Sequence, residues 1–216
     1  MRRNLLLLLA VWCMALTLPA QQQTGDKRSH TPFVFKEFKD AKVLQTFGRY
    51  TKAKANILLK NSALCYLQDD KIMQAYTNNV LGVEFDSVKY MKVDENQMGR
   101  VLASKGYNHL LCVTSVNMAK YRAETEGGDN LPFLEITDAG AFFELDGESF
   151  EFDKGLPLQD KFYFHLKGKV VPANESNIKK LVRPEMRTAF KNLMYDKFWS
   201  WNDASSLAQL LQYLPD

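Results

Sequence analysis

From Phe33 to about Arg122 the chain is written in short apolar-rich runs separated by polar breaks. The runs are Phe33–Phe38, Lys42–Phe47, Ala55–Lys60, Ala63–Gln68, Lys71–Tyr76, Val80–Phe85, Val88–Val93, Met98–Ala103 and Tyr107–Val116. The breaks are Lys39-Asp40, Gly48, Asn61-Ser62, Asp69-Asp70, Thr77-Asn78-Asn79, Asp86-Ser87, Asp94-Glu95-Asn96 and Ser104-Lys105-Gly106. Asp, Asn, Ser and Gly close turns because their side chains bond the local backbone or tolerate positive φ. Runs of this length are those of ordinary strands. Breaks as short as two residues demand antiparallel neighbours, since a parallel crossover needs a dozen residues or more. The pattern therefore predicts an antiparallel meander. Alternation is imperfect: Ile57-Leu58-Leu59 is apolar at consecutive positions, so such segments are strands covered on both faces or are helical.

Ala123–Leu131 is polar around Gly127-Gly128 and is expected to be a loop. Two hairpins are predicted after it. Ala141–Leu145 and Glu148–Phe152 flank Asp146-Gly147, a dipeptide suited to a type I′ turn. Phe162–Leu166 and Lys169–Val171 flank Lys167-Gly168. The period then changes. Pro184 suits the first position of a helix, and Met186, Phe190, Leu193, Met194 and Phe198 follow at helical spacing, with Arg187, Lys191 and Asp196 on other faces. Asn202 or Asp203 can cap a second helix carrying Leu207, Leu210, Leu211 and Leu214. The expected class is α+β: a β-rich antiparallel meander (sheet, sandwich or barrel-like), then two hairpins and a C-terminal helical pair.

The N-terminus carries a different signal. Arg2 and Arg3 precede an uncharged run from Leu5 to Leu18, and Pro19-Ala20 leads into Gln21-Gln22-Gln23. Basic start, apolar centre and small residue at the cut describe a secretory leader. The run is shorter than the roughly 20 apolar residues a membrane-spanning helix needs. Trp12 before Cys13 does not fit a lipoprotein processing site, where a small residue is expected. The expected organisation is a leader at 1–20, a flexible mature start at 21–32, a β domain at 33–173 and helices packed on the sheet at 174–216. The product is expected to be exported, to the periplasm, the cell surface or the medium.

Charge then narrows the partners. The whole chain has 28 basic and 25 acidic residues. Two of the basic residues lie in the leader, leaving a near-neutral mature chain with no global field to attract nucleic acid or an anionic membrane. No membrane span is expected once the leader is removed. Apolar residues make up 46% of the chain, enough for a real core.

Candidate chemistry is sparse. Cys65 and Cys112 sit in apolar runs and are either buried thiols or one disulfide, which an exported chain can hold. His109 and His165 lie in strand-like runs and His30 in the polar start, none at metal-ligand spacing. Asp69-Asp70 and Asp94-Glu95-Asn96 gather carboxylates where turns are expected. Trp199 and Trp201 form the densest aromatic cluster, suited to plugging a helix junction or stacking on a sugar. Asn174-Glu175-Ser176 matches a glycosylation sequon. No nucleophile elbow and no phosphate- or dinucleotide-binding glycine loop is written in the chain, and no catalytic residue, cofactor or metal is assigned.

Three readings follow. The first is a non-enzymatic exported module binding a protein, a glycan or a small apolar ligand, held inside a barrel if the meander closes. The second is a secreted hydrolase using carboxylates or a metal site assembled from distant residues, which requires acidic groups, or a histidine with a carboxylate, to converge in one cleft. The third is a subunit of an envelope assembly, which requires an exposed apolar patch.

Overall fold

In a computed structural model, residues 26–69, 71–125, 143–144 and 154–215 are described. Residues 1–25, which hold the expected leader, Asp70 and the Asp146-Gly147 turn lie outside them. Twelve strands form one antiparallel sheet among the described residues. They are β1 (Arg28–Ser29), β2 (Lys39–Gln45), β3 (Tyr50–Leu58), β4 (Ala63–Gln68), β5 (Lys71–Gln74), β6 (Val80–Phe85), β7 (Val88–Lys92), β8 (Met98–Lys105), β9 (Asn108–Val116), β10 (Phe143–Glu144), β11 (Leu156–Leu166) and β12 (Lys169–Pro172). Four helices join them: α1 (Met118–Glu124), α2 (Glu175–Leu181), α3 (Arg187–Met194) and α4 (Ala204–Gln209).

The sheet order is β1-β11-β9-β8-β7-β6-β2-β3-β4-β5-β10, with β12 also on β11. The expected meander is thus two meanders, β2–β5 and β6–β9, joined where β6 returns to pair with β2 rather than β5. The sheet curls into a half-barrel. Backbone bonds cross the curl: the β3–β4 turn accepts from Met98 N at Ser62 O and from Val116 N at Leu59 O, both at 2.8 Å.

The strand segments match the predicted runs closely from β4 to β9, because each break holds turn-forming residues. Lys167-Gly168 makes the predicted β11–β12 turn, with φ of 47° and 86°. Of the first predicted hairpin only β10 is described, and it pairs with Lys71 and Ile72 of β5. Lys39-Asp40 does not break the chain; it begins β2, where Asp40 lies opposite Lys54 and pairs with it at 3.4 Å.

Two expectations near the N-terminus are corrected. Residues 26–32 are not a loose lead-in. β1 pairs with β11, and Arg28 binds Asp26, Glu124 and the carbonyls of Lys154 and Gly155. Phe33–Phe38 is a strap rather than a strand, touching β3 only by a bridge at Phe33 and Leu58. Its backbone is satisfied by the buried Asn56, whose Oδ1 accepts from Phe35 N at 3.1 Å and whose Nδ2 donates to Phe35 O at 2.8 Å. The rings of the strap pack inward, Phe35 lying 5.0 Å from Phe85.

β3 and β4 are covered on both faces, which explains their unbroken apolar runs. Ile57 and Leu64 face the inside of the curl with Val83, Phe85, Tyr90 and Met98. Leu58 and Cys65 face a second cluster with Ile72, Val116 and Leu156. The inside of the curl is filled by these side chains, so the ligand-holding barrel interior of the first reading is replaced by a packed core. A third cluster joins Leu110 and Phe164 of the sheet to Ile178, Phe190, Leu207, Leu210, Leu211 and Leu214. An amphipathic helix this short depends on such burial for its existence.

Candidate functional site: a groove between two C-terminal helices

Two side-chain caps fix where the C-terminal helices begin. Asn174 Oδ1 accepts from Asn177 N at 3.0 Å and starts α2. Asp203 Oδ2 accepts from Ser206 N at 2.7 Å and starts α4, as predicted. The expected helical pair is three helices, because the cap at Asn174 was read only as part of a sequon. Pro184 opens a single tight turn, Pro184–Met186, that leads into α3.

α2 buries Ile178 and α3 buries Phe190, so the two helices lean on one core and leave a groove between them. Val182 and Arg183 lie in the connection between the two helices. Arg183 anchors the connection to the end of the chain: its backbone N–H donates to Tyr213 O at 3.0 Å and its Nη2 to Gln212 O at 2.7 Å. The groove encloses about 510 Å³. Its floor is Val182, Phe190 and Met194, and its rim is Glu175, Lys179, Arg187, Lys191 and Tyr195. Pockets for small ligands occupy about 300–1,000 Å³ and combine apolar walls with a few polar groups.

Three cations and one carboxylate line this rim. Among the described residues, the side chains of Lys179, Arg187 and Lys191 make no hydrogen bond or ion pair. A cluster of unneutralised cations beside apolar wall attracts an anionic group and strengthens any bond made to it. The lining offers charge and apolar surface, with Glu175 the one carboxylate, and suits holding a molecule.

The residues singled out by sequence fall elsewhere. Trp199 and Trp201 meet edge to face with centroids 5.5 Å apart and pack half-buried against the helical core. They plug the junction between α3 and α4. Cys65 and Cys112 are free and buried. They sit on β4 and β9, which are not neighbours in the sheet, so the candidate disulfide is unformed. Burial pushes the Cys65 thiol up to about 12 and the Cys112 thiol up to about 11, which keeps both protonated.

His109 and His165 are brought together. They are register partners on β9 and β11 with ring centroids 5.8 Å apart, and Ser104 Oγ shares a 2.8 Å hydrogen bond with His109 Nδ1. Burial lowers the pKa of both, helped at His109 by His165 and Lys89. The acidic turns do not join them. Asp94 Oδ1 closes its own turn by accepting from Asn96 N and Gln97 N, and Asp69 sits at a left-handed turn position. Among the described residues no group of three or more His, Cys, Asp or Glu side chains is placed to hold a metal ion. None of their helices is long and apolar enough to cross a membrane.

The rim residues Lys179, Arg187 and Lys191 escaped the sequence reading because cations on the outer faces of helices are ordinarily solvated. The missing signal was α2 itself. Once Asn174 is seen as a cap, Lys179 falls on a helix of its own, beside Arg187 and Lys191. No family model matches the chain, and no curated protein or solved structure is significantly similar to it.

Proposed function

We propose that the protein is an exported, non-catalytic binding module of the envelope or extracellular space, and that it holds a small apolar ligand with an anionic group between α2 and α3. The observation that carries this reading is the groove itself, with Val182, Phe190 and Met194 beneath three unpaired cations. The apolar part of the ligand covers the floor, and its carboxylate or phosphate lies among Lys179, Arg187 and Lys191. Export rests on the leader-like N-terminus.

Titration with a medium-chain fatty acid carrying an environment-sensitive fluorophore tests it. Saturable binding is expected. The double variant Arg187→Glu, Lys191→Glu should weaken it more than about tenfold, since each charge-assisted bond is worth roughly 1.5 kcal/mol or more. Both residues are exposed, so the variant should keep its fold. Absence of saturable binding, or equal affinity in the variant, would overturn the reading.

A further inference from the structure

The tip of the β2–β3 hairpin breaks three local rules at once. Phe47 is 94% exposed, the highest value among the exposed large apolar side chains described. It also adopts φ of 58°, a left-handed conformation that bulky side chains avoid. The other described non-glycine residues with positive φ are Ser62, Asp69, Asp86 and Lys167, all polar. Finally, Lys42 of β2 lies directly opposite Lys52 of β3, a like-charge pair that weakens a sheet.

The surroundings continue the same theme. Tyr50 and Leu81 are exposed beside the tip, and Tyr76 is exposed in the connection that precedes β6. That connection is tied to the turn by Thr46 N donating to Asn79 O at 3.0 Å. From Lys39 to Lys54 the hairpin carries five cations, Lys39, Lys42, Arg49, Lys52 and Lys54, against Asp40 alone. Asp40 takes up Lys54, and Lys42 lies over the Tyr50 ring at 4.6 Å. Arg49 and Lys52 are exposed and make no ion pair among the described residues. The chain as a whole is near neutral, so this concentration of positive charge is local.

We infer that the β2–β3 tip docks the protein on an anionic lipid surface, with Phe47 inserted among the acyl chains and Arg49, Lys42 and Lys52 against the headgroup phosphates. Charge complementarity selects the occupant. A protruding phenylalanine ringed by tyrosines and basic residues matches the layered chemistry of the bilayer interface, where aromatic rings sit at headgroup depth and cations meet phosphate. The ring stands exposed on a left-handed backbone, and no neighbour buries it. This docking uses no part of the α2–α3 groove and stands or falls apart from it.

Co-sedimentation of the purified protein with phosphatidylcholine vesicles, with and without phosphatidylglycerol, is the test. Binding is expected with phosphatidylglycerol and should weaken as salt rises. Phe47→Gly should lower partitioning by about tenfold or more, the burial of one phenyl ring. Arg49→Gln and Lys52→Gln should each lower it roughly fivefold, the contribution of one basic residue near a charged surface. Thermal melting keeps the result interpretable: Phe47→Gly relieves the backbone and should melt no lower than the parent. Equal binding to neutral vesicles, no binding to either, or undiminished binding by Phe47→Gly would overturn the inference. So would single-stranded oligonucleotide that displaces the protein from vesicles through the same residues.

Discussion

Trp199 with Trp201 and Phe47 with Tyr50 are two places where aromatic rings crowd a bend, and the chain treats them oppositely. The tryptophans turn inward, meet each other edge to face and fill the junction between α3 and α4. Phe47 and Tyr50 turn outward, and Phe47 does so from a strained backbone. Around the tryptophans local preferences agree with the fold: Asp203 caps α4, and Leu207, Leu210, Leu211 and Leu214 all face the core. Around Phe47 the turn residue, the exposure and the Lys42–Lys52 pairing all oppose stability. Agreement among levels marks architecture. Disagreement among them marks a place kept for another purpose.

Substitutions can break this contrast, and the largest effect is expected in the helical layer. Leu210→Ala removes a fully buried side chain and should cost about 2–5 kcal/mol, read by denaturant unfolding. It should abolish ligand binding in the groove, since α2 and α3 rest on the same cluster. Trp201→Ala should cost about 2 kcal/mol, less than a fully buried tryptophan, while leaving vesicle binding unchanged. A Trp201 variant of parent stability would mean that the ring is held for a ligand instead.

Smaller effects test caps and charge. Asp203→Ala should cost about 1 kcal/mol. The Ser206 backbone N–H holds the Asp203 carboxyl below the usual range. Its contribution is therefore complete above about pH 4 and disappears as pH falls through the lowered value. The histidines act at higher pH. Their folded values lie below the ordinary one of about 6.5, so the unfolded chain takes up protons first as pH falls. Stability should drop as acid is added below about pH 6.5, and His109→Gln with His165→Gln should flatten that part of the curve. The smallest effect has the opposite sign. Phe47→Gly should raise stability by up to about 1 kcal/mol, because left-handed backbone costs a side-chain-bearing residue about 1–2 kcal/mol and part of that gain is lost to glycine's freedom when unfolded.

The strands from β4 to β9 were legible because Asp, Asn, Ser and Gly punctuate them, and turn chemistry is local. Asp203 and the leucines of the last helix were legible for the same reason. The return of β6 to β2 was not, since pairing partners are chosen by the curl of the whole sheet. Nor was the strap at Phe33–Phe38, whose apolar residues resemble a strand until Asn56 is placed beside it. The groove depended on α2, and α2 on reading Asn174 as a cap. The tip depended on exposure and on φ at Phe47, and neither is written in residue type. Trp199-Ser200-Trp201 was conspicuous in the sequence and proved architectural, whereas Phe47 looked like the end of an ordinary strand.

The groove is the centre of this account, and NMR shift mapping during titration with decanoate tests it most directly. Perturbed amides should cluster along α2 and α3, from Glu175 to Tyr195, and should leave His109, His165 and the rest of the sheet unchanged. Shifts centred on Trp199 and Trp201, shifts scattered over the sheet, or no saturable shift at all would contradict it.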